Sequence, residues 1–306
     1  MEQGDHDGDA GSLVRDLAER HRAIDAARLM LPFADVLVTV PGQGRPLYEP
    51  YIPFVGPAYR PGGVLVLATA QNLAQFGRTG DTPNWRLSTG LPDAPLHRLY
   101  RVGNRTVSRV LESAEVVCEN VAMQPFEDGV LPALAGLWMA AAGEDPPRDL
   151  DAVAALISAT NFYKHSLRTP SGADLNPEEP SFRNRLSAYR DLTLHTFAGP
   201  EVEILRPGAI LAFRGVPEAL RGHAPSGCRW RTINDPSWIK QGMSGVATAP
   251  SGSWFRRAQD PRIPMAIRDL VEAYLGQLRS PYSAGKREAT RVYLLVNYLE
   301  FESSIE

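Results

Sequence analysis

The tightest constraint on this chain is a pair of short stretches that contain no polar residue. Val64-Leu65-Val66-Leu67 follows Gly62-Gly63, and Ala209-Ile210-Leu211-Ala212-Phe213 follows Arg206-Pro207-Gly208. A strand with one wet face alternates apolar and polar side chains, so a run without alternation is covered on both faces. The segments around these runs supply helices to do the covering. Residues 12–31 place Leu13, Val14, Leu17, Ile24 and Leu31 on one stripe, with Ser12 as N-cap. Further helical patterns span residues 131–142, 182–204 and 263–278, the last through Ile267, Leu270, Val271, Tyr274 and Leu278. Short apolar runs alternating with helices specify an α/β domain, a three-layer α/β/α arrangement around a central, mostly parallel sheet.

The remaining segments read as follows. Residues 96–113 suit a helix through Leu99, Val102, Val107, Val110 and Leu111, and Val116-Val117-Cys118 suits a short strand. Ala152 to Ala159 is a small apolar run that ends, strand-like, at Thr160-Asn161. Val216 to Leu220 starts a short helix, Trp230 to Ile233 forms a last strand, and Val292 to Tyr298 fits strand or helix. Ala68 to Pro95 is a loop of a length that usually carries function. Residues 1–10 read as a disordered tail and residues 11–306 as a single domain.

Composition narrows the class. Hydrophobic residues make up 43% and charged residues 22%, ample for a core. No run approaches the roughly 18 apolar residues of a membrane span, and the polar start, Met1 to Asp9, has no secretory h-region. The expected compartment is the cytoplasm, with no membrane partner. Two cysteines, Cys118 and Cys228, are too few for a disulfide framework, a four-cysteine zinc site or an iron–sulfur cluster. His165 and His195 lack a partner at metal spacing, so no metal or other cofactor is expected. A net charge of −3 argues against non-specific coating of nucleic acid, although Arg206, Arg214, Arg221, Arg229 and Arg231 face only Glu218 as a nearby acid in the chain.

In parallel sheets ligands sit beyond the carboxyl ends of the strands. Three polar clusters fall there: Gln71-Asn72, Asn161, and Asn234-Asp235-Pro236-Ser237. Thr160-Asn161-Phe162-Tyr163-Lys164, then Pro170, Asn176-Pro177-Glu178-Glu179 and Arg183, are followed by Glu203-Ile204-Leu205-Arg206-Pro207, the Ala209–Phe213 run and Asp235-Pro236-Ser237. In this order and spacing the chain resembles the uracil-DNA glycosylase superfamily, over roughly residues 50–245 and best over residues 152–243. Pro53-Phe54-Val55-Gly56-Pro57-Ala58-Tyr59 adds a weaker likeness ahead of the first strand. The resemblance implies a uracil-DNA glycosylase-like fold, a monomer, a DNA partner and excision of a flipped base.

Two departures redirect that expectation. Where the family carries an acid or amide with a proline after the first strand, this chain has Ala68-Thr69-Ala70-Gln71-Asn72, and Asp235 replaces the family's histidine or asparagine. Base excision needs an edge reader, support for the departing base and a positioned water. An amide offers donor and acceptor together, which suits Asn161 as base reader by the resemblance; its alternative is a strand-end cap. An ionised Asp235 only accepts, so it repels a uracil carbonyl and suits the amino edge of a cytosine. It can equally act as general base, support the sugar cation, or merely start an Asp-Pro turn. Asn72 and Gln71 can orient water or touch the base. Trp85, or Phe76, can stack on it, Ser237 and Lys240 can hold phosphates, and Trp238, Ile239 and Met243 stand where the family inserts an apolar wedge. The expectation is a DNA glycosylase for a modified, cytosine-type base, serving repair or defence against modified phage DNA. Its alternative is a non-catalytic modified-DNA or nucleotide reader on the same fold.

Overall fold

The computed structural model describes residues 10–24, 29–37, 53–69, 97–102, 105–112, 115–118, 129–164, 167, 180–234, 252–278 and 284–303. In chain order the elements are α1 (Ala10–Arg22), a 3-10 turn (Leu31–Phe33), β1 (Phe54–Val55), β2 (Val64–Ala68), β3 (His97–Val102), β4 (Arg105–Glu112) and β5 (Glu115–Cys118). Then come α2 (Val130–Ala141), α3 (Leu150–Leu156), β6 (Ser158–Asn161), α4 (Pro180–Thr193), a π-helical turn (Leu194–Ala198) and α5 (Gly199–Leu205). The last described elements are β7 (Ala209–Phe213), a 3-10 helix (Glu218–His223), β8 (Arg229–Ile233), α6 (Ser253–Ala258), α7 (Met265–Gln277) and α8 (Ala284–Glu302).

The larger sheet has the order β1-β6-β2-β7-β8. β6, β2, β7 and β8 are parallel, and only β1 runs against its neighbour. Every residue of β2 and β7 is buried, as their unbroken apolar sequence requires. Successive side chains point to opposite faces of a strand, and this alternation divides the interior in two. Val64, Val66 and Ala68, with Ala209, Leu211 and Phe213, join α2, α3, α6, α7 and α8 in one core. Leu65 and Leu67, with Ile210 and Ala212, join α1, α4, the π turn and α5 in the other. The sheet is therefore covered by helices on both faces. Each fully buried Val or Leu is worth about 1.5–3 kcal/mol, so neither helical layer is dispensable. No helix among the described residues is long and apolar enough to cross a membrane.

Several sequence expectations are corrected. Residues 96–113 are not a helix: β3 and β4 form an antiparallel pair, with Val102 opposite Arg105, and β5 pairs with β4. Val102, Thr106, Val107 and Val110 are β-branched, and only Gly103-Asn104 separates the strands, a composition that favours a hairpin over a helical turn. The front of the Ala152–Ala159 run is helical as well. Asp149 caps α3 by accepting from the Asp151 N–H at 2.9 Å, and the alanines that follow are strong helix formers. Ser12 lies inside α1, which starts at Ala10, so it is not the N-cap, and the helix ends at Arg22 rather than Leu31. The single helix expected over residues 182–204 is split by the π turn. Residues 292–298 are the buried middle of α8.

Two close features locate where this packing is most easily broken. A Cβ on Gly208 would lie 2.2 Å from the Gly62 carbonyl oxygen, so the entries to β2 and β7 meet backbone to backbone. Gly208→Ala is expected to destabilise the protein by about 1–3 kcal/mol, whereas Gly222→Ala, which meets nothing within 4 Å, is expected to be neutral or slightly stabilising. Urea unfolding midpoints of the two variants check this. On the other face, α8 is tied down by carboxylates: Glu300 pairs with Arg231 and Arg257, and Arg291 bridges Glu272 and Glu288. Burial pushes the Glu300 carboxyl up, but the hydrogen bond and charge of Arg257 and the charge of Arg231 outweigh it and hold it below the usual value. The Arg291 hydrogen bond lowers Glu272 likewise, against a smaller burial effect. A carboxyl lowered in the folded state stabilises fully above its unfolded value, about 4.3, and stops doing so as pH falls through the folded value. Glu300→Gln is therefore expected to lower the melting temperature at pH 7, and the gap to the parent should close as the pH is lowered through 4, read by thermal melts across that range.

Candidate functional site

Chain order and sheet order disagree at one place. From β2 the chain goes to β6 on one side and then returns to β7 on the other. Adjacent connections that diverge in this way open a crevice beyond the carboxyl ends of the two strands, here β2 and β7. Thr69, just past β2, donates its hydroxyl to the Arg214 carbonyl oxygen just past β7 at 2.8 Å. Gly215 has a left-handed φ of 98°, and a Cβ there would come within 3.1 Å of the Thr69 side chain. This close approach forms the floor of the crevice.

Asn161 ends β6 beside this floor, opposite Ala68 in register. The ladder continues past it, for the Phe162 N–H donates to the Ala68 carbonyl at 2.7 Å and the Tyr163 N–H to Thr69 at 2.9 Å. Asn161 is thus held from both backbone directions. It is 2% exposed, and its Oδ1 has no hydrogen-bond partner. A buried amide oxygen without a donor costs about 1–3 kcal/mol. A group of this kind at a ligand edge is ready to accept from what enters there.

The opposite face of β6 holds a buried ionic group. Lys164 Nζ donates to Thr160 Oγ1 at 2.6 Å and pairs with Glu201 of α5. Glu201 Oε1 also meets His21 Nε2 of α1 at 2.7 Å. All four side chains are buried, with Lys164 fully so. Three helical layers are thereby pinned to the strand end that carries Asn161. Sequence reading used Lys164 only as part of a motif and passed over Glu201 and His21. The signal was present: Glu201 stands four residues after Phe197 on the apolar stripe of its helix, and His21 four after Leu17. A charged residue on an apolar stripe needs a buried partner.

Of the expected site residues, Asn161 is the one among the described residues. Gln71, Asn72, Phe76, Trp85, Asp235, Ser237, Trp238, Ile239, Lys240 and Met243 lie outside them. The chain does reach Ala70 directly from Thr69 and Asp235 directly from Asn234, both at carboxyl ends of parallel strands. The five arginines of residues 206–231 do not share an edge. Arg206 precedes β7 and Arg214 follows it, Arg221 pairs with Glu218, Arg229 stacks over the Trp138 ring at 5.3 Å, and Arg231 pairs with Glu300. His195 is exposed with its ring 6.1 Å from that of His223, which bonds Glu203 at 2.7 Å. No group of three or more His, Cys, Asp or Glu is arranged for a metal ion among the described residues. Burial pushes the Cys228 thiol up to about 11 in spite of Arg221 and Arg229, which keeps it protonated and poorly nucleophilic at neutral pH. Compared with known proteins, the chain matches no family model, no curated protein and no solved structure.

Breaking the buried ionic group should cost more than replacing it. Glu201→Gln leaves the Lys164 ammonium buried without its counter-charge and is expected to destabilise by about 3–5 kcal/mol. The double replacement Lys164→Met with Glu201→Leu should recover most of that loss. A double-mutant cycle by denaturant unfolding reads both.

Proposed function

We propose that this chain is a DNA glycosylase that extrudes a modified, cytosine-type base and hydrolyses its N-glycosidic bond, in repair or in defence against modified foreign DNA. The observation that carries the reading is Asn161, an amide held at a strand's carboxyl end beside the switch-point crevice, buried and with an unfilled acceptor. The exocyclic amino group of a cytosine is a donor of the right kind, and the amide N–H₂ can serve the carbonyl or ring nitrogen next to it. Order and placement of the flanking motifs support the same reading, since Gln71-Asn72 and Asp235-Pro236-Ser237 follow in the chain from two strand ends of the same edge. Asn161 and Asn234 are three strand spacings apart, roughly 14 Å, a gap that one extruded nucleotide can bridge.

In this reading the C1′–N1 bond breaks with its electron pair on the base, which takes up a proton as it leaves. A water oxygen bonds to C1′ and gives up its own proton, for which the Asp235 carboxylate is the acceptor. Asn72 or Gln71 orients that water. The negative Asp235 also opposes the positive charge that builds on the sugar. A plain uracil, with a carbonyl where cytosine has its amino group, presents Asp235 with a lone pair and is the poorer substrate.

A non-catalytic reader is the second reading. What favours it is that Thr69, Asn161, Arg214 and Asn234, the described residues at the four strand ends, include neither carboxylate nor nucleophile. One assay separates the two. Duplexes carrying cytosine, uracil, 5-hydroxymethylcytosine or glucosylated 5-hydroxymethylcytosine are incubated with protein, treated with alkali and run on a gel. Strand breaks are expected only in modified DNA, and Asn161→Ala should slow them at least about 100-fold, with Asp235→Ala slower still. Binding of modified duplex with no abasic product in any lane would instead select the reader.

A further inference from the structure

The C-terminal helix α8 lies outside the part of the chain that resembles glycosylases, yet it reaches the carboxyl end of β8. The hydroxyl of Tyr293 donates to the Asn234 carbonyl oxygen at 2.6 Å. Its ring lies parallel to that of Trp254 in α6, with centroids 6.5 Å apart and planes 4° from coplanar. Asn234 is the last described residue before Asp235, and Trp254 stands just inside the next described stretch, which opens at Gly252. One fully buried side chain therefore grips the chain on both sides of residues 235–251. Its hydroxyl acts on the entry and its ring on the exit.

We infer that Tyr293 is a positioning residue, a clasp that fixes the backbone from which Asp235 departs and so sets the geometry of that end of the site. This rests on the glycosylase reading for its catalytic part, although the clasp itself does not. The physical argument is one of direction. Asn234 sits at the free end of an edge strand, where the parallel ladder to β7 stops at Ile233. Beyond that point the ladder no longer supports the backbone, and the next restraint recorded on it is the Tyr293 hydroxyl. The helix that supplies the hydroxyl is itself anchored to β8, because Glu300 pairs with Arg231. Asn161 shares the sheet face on which α8 packs, since Ala159, two residues earlier on β6, belongs to that core. The clasp and the base-reading amide thus stand on the same side of the sheet at the same edge.

The test uses the full chain with Tyr293→Phe, which removes the hydroxyl and keeps the ring, and Tyr298→Phe, which removes a hydroxyl one turn further along the same helix. Hydrogen–deuterium exchange is followed on the peptides carrying Asn234 and Trp254, together with the melting temperature. Base release from a 5-hydroxymethylcytosine duplex is measured for kcat and KM. The clasp predicts faster exchange at both peptides in Tyr293→Phe with little change in melting temperature, and parent-like behaviour in Tyr298→Phe. The positioning role predicts a kcat lowered about 5-fold, the loss of one hydrogen bond, with KM unchanged. Exchange that does not change at Asn234 overturns the clasp. Faster exchange with an unchanged kcat overturns the positioning role. If the parent releases no base but the exchange result holds, the glycosylase reading falls and the clasp stands. Should Tyr293→Phe melt far below the parent, Trp254→Leu, which leaves the hydroxyl in place, is the second variant: it must speed exchange at Trp254 first, and equal exchange across the whole chain overturns the clasp.

Discussion

Two strands that are wet on neither face determine most of this architecture. Once β2 and β7 are buried throughout, apolar helical surface has to be found for both sides of the sheet, and the chain provides it from opposite ends. The N-terminal helix and the α4–α5 hairpin arm cover one face; α2, α3 and the C-terminal helices cover the other. Because each face is sealed by helices, small molecules and nucleotides can approach the central strands only along their ends. The switch in connection direction between β2 and β7 then singles out the carboxyl end. Function is in this sense confined by packing before any catalytic residue is considered.

The unbroken apolar runs made that much readable from the amino-acid order, and β7, β8, α2 and α7 fall where their patterns place them. The hairpin β3–β4 was not readable, because a helical stripe can be traced through any segment with apolar residues every three or four positions. There, β-branching and the short Gly103-Asn104 connection decide against it. At Ala152–Ala159 the opposite error arises: a run of alanines looks like a buried strand but lacks the side-chain bulk that strands use, and a single capping aspartate turns it into a helix. For the site, Asn161 was legible as an amide at a strand end. The Lys164–Glu201–His21 group was not, since its members are 37 and 180 residues apart in the chain and only tertiary contact brings them together.

Asn161 sits between two kinds of restraint. Its backbone is gripped by β2 through the ladder, while three residues on, Lys164 is gripped by Glu201 beneath the opposite face. Charges buried this way stabilise little by themselves. Their effect is to allow one arrangement of the strand end and penalise others, and an amide that must read a base by two hydrogen bonds benefits from that narrowness more than from added stability. The π turn just before α5 belongs to the same device, because an extra residue per turn changes which face of the following helix meets the sheet. Glu201 lies on the first turn after it.

The Tyr293–Asn234 bond also has a consequence for how the protein is made. The two residues are 59 positions apart, and at about 5–20 residues per second of translation the helix that holds the β8 end emerges roughly 3–12 s after the strand does. During that interval the parallel sheet can already assemble, since all of its strands have left the ribosome, but the edge beside Asn234 is bare. Synthesis therefore delivers the scaffold first and the fastening of its reactive end last, so a nascent chain can hold its shape before it can act on the nucleic acid around it.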